Sequence, residues 1–293
     1  MNVLSLFDGM SCGQIALERA GIIVSKYLAS EIYEPAIKIT LKNYPNTLHI
    51  GDVKKVKGEE LPEIDLLIGG TPCRNLSRTV INNPKHNQGL DGKHSNLFYE
   101  YVRLLQETKP KHFLVENVES MKNSDRDIIT ETLGVEPLMI NSSLVSAQDR
   151  KRYYWTNIPI SNLPKDRELF LEDIIQEAVE VEHKYWYKQD YDFHGNGKRP
   201  VATLHINGHD ILKRVYGTHQ KSPTLTSCRG GNLQKKVLQK GVCRKLTPLE
   251  YERLQTVPEG YTEGVADTHR YNMLGDGWTV DVIAHIFEGL VNK

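Results

Sequence analysis

Short apolar runs recur through the first half of the chain, at 2–7, 26–30, 47–50, 64–69, 111–116, 136–141 and 152–158. Runs this short, bounded by Gly, Pro, Asn and Asp, read as strands. Between them, 12–20, 33–43, 94–108 and 122–133 place apolar residues three and four apart, the spacing of one helix face. Strands alternating with helices predict an α/β fold, a mostly parallel sheet with helices on both faces. The rhythm fails over 160–240, which is polar and dotted with Gly and Pro and reads as a small second domain. Helical spacing returns at 247–256 and 279–291. The last helix carries Val280, Val282, Ile283, Ile286, Phe287 and Leu290 on one face, and the first domain's sheet is the largest core that could bury them. The predicted organisation is a first domain over 1–158, a second over 159–243, and a segment 244–293 that returns to the first.

Composition adds little at the level of the whole chain. Its 293 residues suffice for one large domain or a large and a small one. Lys+Arg and Asp+Glu both total 37. The distribution is less even. From Ile211 to Leu249 stand Lys213, Arg214, Lys221, Arg229, Lys235, Lys236, Lys240, Arg244 and Lys245 without one acid. Such a stretch is either a solvated face or one that meets an anion such as a nucleic-acid backbone. Residues 166–192 are acidic in compensation. Cys12, Cys73, Cys228 and Cys243 form no CxxC pair, so neither a zinc site nor a disulfide framework is signalled, and a reducing, cytoplasmic setting is expected. No apolar run reaches membrane-spanning length. The chain enters a strand at once, which leaves no room for a signal peptide.

Candidate chemistry collects at strand ends, where ligands of open α/β sheets bind. The first strand runs into Phe7-Asp8-Gly9-Met10-Ser11-Cys12-Gly13 and then a helix, a turn in which glycine lets a ligand approach the backbone. The second ends at Glu31, the position of a ribose partner, and the third at Asp52, which could accept from an adenine amino group. Each also has a plain reading, Glu31 as a surface acid and Asp52 as a turn former or N-cap. In register on successive strands they favour an adenosine-type ligand. The turn is not G-x-G-x-x-G, which weighs against a dinucleotide.

At the fourth strand's end, Gly69-Gly70-Thr71-Pro72-Cys73 delivers a thiol on a stiff turn. Cys73 is there either as a nucleophile or as a small buried hydrophobe. The strand 111–116 ends in Glu116-Asn117, and a carboxylate buried there is costly unless paired or functional; the alternative is a helix cap. In an extended chain Gln148, Arg150 and Arg152 share one face, and two guanidiniums on a face are rarely core. The polar loop 74–94, with Arg78, Lys85 and Lys93, reads as a binding loop or as ordinary surface.

Taken in order, Phe7-Asp8-Gly9, Glu31, Asp52, Gly70-Thr71-Pro72-Cys73, Glu116-Asn117-Val118, Gln148-x-Arg150-x-Arg152, Arg253-Leu254-Gln255 and Gly275-Asp276-Gly277-Trp278-Thr279-Val280 resemble the ordered motifs of the DNA (cytosine-5) methyltransferase family. The likeness runs from Val3 to Phe287. Only about 160–240 lies outside it, where that family keeps its target-recognition domain. The forms Phe-Asp-Gly and Gly-Asp-Gly-Trp are similar to those of the animal de novo methyltransferases, whereas bacterial members usually read Phe-Ala-Gly and Gly-Asn-Ser-Val. Arg74 and Leu76-Ser77 also depart from the common Gln and Phe-Ser.

The resemblance implies a Rossmann-like catalytic domain and methyl transfer from S-adenosyl-L-methionine, with S-adenosyl-L-homocysteine as product, to C5 of a cytosine flipped out of double-stranded DNA. It implies Cys73 as the nucleophile at C6, Glu116 as proton donor at N3, Arg152 at the cytosine O2 and Arg150 as its neighbour. It implies Phe7, Asp8, Gly9, Glu31, Ile32, Asp52, Val53, Pro72, Trp278 and Val280 around the cofactor. Ser77, Arg78, Lys93, Arg229, Gly230, Gly231 and Asn232 would meet DNA, with Arg229 either reading a base or holding a phosphate. The expected protein is a monomer of bacterial or phage origin needing no metal. A cognate restriction enzyme, the methylation of tRNA instead of DNA, and a catalytically idle DNA-binding relative stay open at this point.

Overall fold

The structure is a computed structural model that describes residues 1–72, 76, 89–92, 96–228 and 232–291. The chain forms two compact units. The first comprises residues 1–141, 151–163 and 280–293, the second residues 142–150 and 164–279.

The first unit is built on a seven-stranded sheet. Its strands are β1 (Asn2–Leu6), β2 (Lys26–Ser30), β3 (Leu48–His49), β4 (Leu66–Gly70), β5 (His112–Val118), β6 (Leu138–Asn141) and, after a two-residue β7 (Gln148–Asp149) that belongs to the second unit, β8 (Lys151–Thr156). Their spatial order is β3-β2-β1-β4-β5-β8-β6. The first five pair in parallel, while β8 runs antiparallel to both β5 and β6. Helices α1 (Cys12–Arg19), α2 (Glu34–Asn43), α3 (Leu97–Thr108) and α4 (Asn123–Leu133) provide the connections or follow them. Strands covered on both faces must be apolar along their length, which is why Val3-Leu4-Ser5-Leu6 and Leu66-Leu67-Ile68 are buried throughout. Leu4, Leu6, Leu67, Phe98, Tyr101, Val115 and Trp155 form one core cluster. The Tyr101 hydroxyl, at the centre of this cluster, donates to the carbonyls of Leu67 and Leu114.

In the second unit, β9 (Tyr191–Phe193), β10 (Ala202–Leu204), β11 (Arg214–Gly217), β13 (Lys236–Gln239) and β14 (Val242–Lys245) form a five-stranded sheet in the order β14-β13-β11-β10-β9. A separate pair joins β7 to β12 (Ser222–Pro223). A short helix, α5 (Asp210–Lys213), precedes β11, and α6 (Pro248–Leu254) and α7 (Asp267–Asp276) complete this unit. Only α8 (Val280–Glu288) rejoins the first unit. There it packs on α1, with Asp281 paired to Arg19 at 2.5 Å. The returning segment therefore starts at Val280, later than the expected 244. The amphipathic pattern of 247–256 is satisfied inside the second unit, where Tyr251 and Leu254 are fully buried. Among the described residues, no helix is long and apolar enough to cross a membrane.

Candidate active site

The carboxyl ends of the parallel strands carry the polar groups picked out in the sequence. The turn after β1 is held in an unusual backbone form, with Phe7, Gly9 and Ser11 all at positive φ (56°, 59° and 60°). Two of these are not glycine, so the neighbourhood must compensate for the strain. Asp8 does much of that. Its carboxylate accepts hydrogen bonds from the hydroxyls of Ser5 (2.6 Å), Tyr27 (2.7 Å) and Ser11. Enclosure of this carboxyl raises its pKa to about 6, against the three hydroxyl donors, which favour the charged form.

Glu31 ties the same turn to the end of β2. One carboxylate oxygen accepts from the Gly9 N–H at 2.8 Å, the other from the N–H groups of Ile32 (2.7 Å) and Tyr33 (2.8 Å). Asp52 accepts from the Lys54 N–H at 3.1 Å and so caps the turn 53–55. The N-cap weighed for Asp52 in the sequence is thus realised. Val53 is buried, while Ile32 is 71% exposed.

One strand further along, register brings the reaction end together. Gly70, at the end of β4, lies directly beside Glu116 on β5, and Val118 lies beside Arg152 on β8. Glu116 and Arg152 therefore project on the same face, and Arg152 Nε reaches Glu116 Oε1 at 2.8 Å in a largely buried pair. Asn117 donates from Nδ2 to both the carbonyl (3.2 Å) and the hydroxyl (2.8 Å) of Thr71. It thereby clamps the turn that leads through half-buried Pro72 into position 73. Cys73, Arg74, Ser77, Arg78, Lys93, Arg229, Gly230 and Gly231 lie outside the described residues.

A family model described as C-5 cytosine-specific DNA methylase matches residues 1–292. The chain belongs to that family. It is 25% identical to the type II methyltransferase M1.ScrFI of Lactococcus lactis subsp. cremoris, with 99% of this chain and 77% of that protein covered. It is 27% identical to the type II methyltransferase M.Bsp6I of Bacillus sp. (strain RFL6), covering 99% and 98%. A solved DNMT2 variant of Spodoptera frugiperda superposes with a TM-score of 0.74 at 18% identity, 99% of each chain being covered. The chain is thus a DNA cytosine-5 methyltransferase by family, and the family's methyl donor is S-adenosylmethionine.

The residues at the β1 and β2 ends of this methyltransferase fit that donor. A Cβ built on Gly9 meets nothing within 4 Å, so the turn faces open space. Exposed Ile32 presents an apolar surface and Glu31 a carboxylate beside this turn, the kinds of group that an adenosine's flat ring and ribose diol call for.

Two expectations for this enzyme need correction. Gln148, Arg150 and Arg152 do not share a strand face, because the strand is interrupted at Arg150. Arg150 is buried in the second unit, where its guanidinium donates to the carbonyls of Leu225 (3.0 Å), Gly275 (3.3 Å) and Gly277 (2.9 Å). Gln148 donates to Leu254 O and accepts from the Leu225 N–H. Gln255 joins them, accepting from Gln148 and Thr279 and donating to the carbonyls of Leu274 and Gly277. Gly275 is obligatory beside this cluster, since a Cβ there would lie 2.2 Å from Thr226 O. The cluster fixes the backbone of 274–279, which includes half-buried Trp278, while Val280 is buried at the start of α8.

The second correction concerns the basic stretch 211–249, much of which is interior. Arg244 and Glu250 form a fully buried pair at 2.6 Å, with Gln239 on the same guanidinium. Lys236 is buried, Lys221 Nζ is bound to the carbonyls of Ser143, Ser146 and Leu169, and Arg214 pairs with Asp210. A linear charge count could not reveal this. The Arg-x5-Glu spacing that pairs 244 with 250 is visible only once β14 and α6 are known to abut.

Proposed function

We propose that this chain methylates C5 of a cytosine flipped out of duplex DNA, through transient addition of Cys73 to C6. The observation that carries the reading is the Glu116–Arg152 pair in register with Gly70, three residues before Cys73 in the chain.

A base stacked in a duplex cannot be attacked from above its ring, so it must leave the helix, at a cost of a few kcal/mol. The Cys73 thiolate adds to C6, forming the S–C6 bond and moving the C5=C6 electron pair toward C5. Glu116 lends a proton at N3 as charge develops there, and the Arg152 guanidinium holds the base at O2 while keeping the Glu116 carboxyl in place. When bound, S-adenosylmethionine supplies the electrophilic methyl group that C5 takes up. Loss of the C5 proton to solvent, with the N3 proton returned to Glu116, then expels the Cys73 sulfur and restores the C5=C6 bond. Asn117, through Thr71, fixes the turn from which the thiol is presented. Phe7, Gly9, Glu31, Ile32, Asp52 and Val53 hold the adenosine portion, with Pro72 and Val280 as further walls. Asp8 acts from behind by setting the turn. Arg150 is a positioning residue, its donors being engaged on backbone carbonyls.

Incubation with methyl-labelled S-adenosylmethionine and either duplex DNA or tRNA tests the substrate. Label is expected in DNA as 5-methylcytosine and absent from tRNA; the reverse result overturns the DNA reading. A covalent adduct on duplex DNA containing 5-fluorocytosine, lost in Cys73→Ser, tests the addition step.

A further inference from the structure

Asn232 directly follows Arg229-Gly230-Gly231, the segment singled out for base reading, and it is held from inside the second unit. Lys236, the first residue of β13, is 2% exposed. Its Nζ donates to Asn232 O at 2.7 Å and to Gln234 O at 3.0 Å, and stands 5.7 Å from the centre of the Tyr187 ring. The Tyr187 hydroxyl donates in turn to Asn232 Oδ1 at 3.0 Å. The Lys235 N–H donates to the hydroxyl of fully buried Tyr251 at 2.8 Å. The turn 232–235 is thus anchored at a carbonyl, a side chain, a second carbonyl and an amide, while Leu233 at its tip is exposed.

A buried ammonium is expensive unless its surroundings offset the charge. Lys236 has carbonyl dipoles and an aromatic face for this and, among the described residues, not a carboxylate partner. An apolar side chain would fill the same space without that cost, but it could not draw two carbonyls from two residues apart onto one centre. We propose that Lys236 is a positioning residue for target recognition, whose charge, with Tyr187, fixes the turn that offers Asn232 and Leu233 to the DNA. This rests on the function proposed above and deepens it by naming what gives the target-reading segment its shape.

The proposal has a pH signature. Burial lowers the Lys236 pKa to about 8, helped by the ammonium groups of Lys235 and Lys245, and the thiols of Cys228 and Cys243 also face it. Burial pushes Cys243 up to about 12 and raises Tyr187 as well, so neither ionises in that range. Lys235 is itself lowered by burial. Above pH 8 the Lys236 amine has a lone pair and two donors in place of three, and its grip on the two carbonyls slackens.

Rapid-quench hydrogen exchange of amides 232–236, corrected for intrinsic rates, reads the turn directly. Protection is expected to fall about tenfold from pH 7 to 9 in the wild-type chain, the size of one lost charge-assisted bond. It should be low at both pH values in Lys236→Met. In Lys235→Met the step should persist but move to higher pH, because a neighbouring like charge has gone. The second readout is the ratio of kcat/KM on two duplexes: one bearing the motif found by methylcytosine sequencing of expressing cells, the other with one base pair of that motif changed. The ratio should fall with protection in the wild type and be low and flat in Lys236→Met. Unchanged protection between pH 7 and 9 overturns the ordering role, and a ratio indifferent to pH overturns the recognition role. Absence of methylcytosine from any DNA refutes the proposed function and the recognition role with it, while the exchange step still decides whether Lys236 orders the turn.

Discussion

At the scale of single residues, the Glu116–Arg152 pair and the Asp8 carboxyl make separable predictions. Arg152→Met leaves the Glu116 carboxylate largely buried without its cation, and removing one member of a buried pair is costly. Urea unfolding should show a loss of about 2–4 kcal/mol, part of which returns when Glu116→Gln is added, because the carboxylate that lost Arg152 has then gone. Glu116→Gln alone should lower kcat by about 10²-fold or more, as expected for a lost proton donor, with S-adenosylmethionine affinity retained. Asp8 carries the opposite sign from most carboxylates. Its folded pKa, about 6, lies above the unfolded value near 3.8, so between these pH values the native state binds more protons and loses stability as pH rises. Above pH 6 the native chain carries that cost in full. Asp8→Asn keeps the shape and drops the ionisation, so the stability of this variant relative to the wild type should improve by about 1–2 kcal/mol between pH 5 and 7. A constant difference across that range would mean that Asp8 ionises as freely as an exposed acid. Glu116 and Arg152 were legible in the sequence because a strand end names its own chemistry. The Tyr27 hydroxyl on Asp8 was not, because a tyrosine inside an apolar strand looks like core until its neighbour across the sheet is known.

At the scale of elements, the parallel strands were legible to within two residues at most of their ends, because a strand buried on both faces leaves an unbroken apolar run. The second unit was not, and the reason is physical: β9 to β14 are two to four residues long, too short to establish a period of two. The break at Arg150 is a related case. The alternating pattern of 148–152 reads as one strand, yet β7 pairs with β12 and β8 with β5 and β6, so one motif serves two sheets. This division makes a test between a catalytic and a positioning role for Arg150. Arg150→Met strands the carbonyls of Leu225 and Gly275 and leaves Gly277 O to Gln255 alone, which loosens the segment that leads to Val280. About 2–4 kcal/mol of stability should go, and KM for S-adenosylmethionine should rise more than kcat falls. A loss confined to kcat, with stability and KM unchanged, would return Arg150 to the chemistry.

For the molecule as a whole, the balance of 37 basic and 37 acidic residues leaves DNA affinity to local charge. How steeply that affinity responds to salt counts the phosphates neutralised, with log K falling by about 0.9 per phosphate contact. If all nine cations of 211–249 faced the DNA, the slope would approach about −8. Three of them do not have that freedom: Arg244 is paired with Glu250 in the interior, and Lys236 and Lys221 are bound to carbonyls. Arg214 is paired with Asp210 in a pair open to solvent. Lys240 has Glu177 at 3.9 Å, although both are exposed and such a pair yields readily to a phosphate. Arg229 lies outside the described residues; Lys235 is drawn inward by burial and Lys245 stands 5.5 Å from the centre of the Tyr187 ring, so Lys213, Arg214 and Lys240 are the described cations of this stretch most open to a phosphate. Fluorescence anisotropy of a labelled duplex from 50 to 300 mM KCl should therefore give a slope of about −3 to −5. A slope near −8 would require the interior cations to leave their partners on binding, and Arg244→Met, which removes a cation predicted to be silent, should then flatten it by about one unit. With the shallower slope, Arg244→Met should change stability and leave the salt dependence of the folded enzyme where it was.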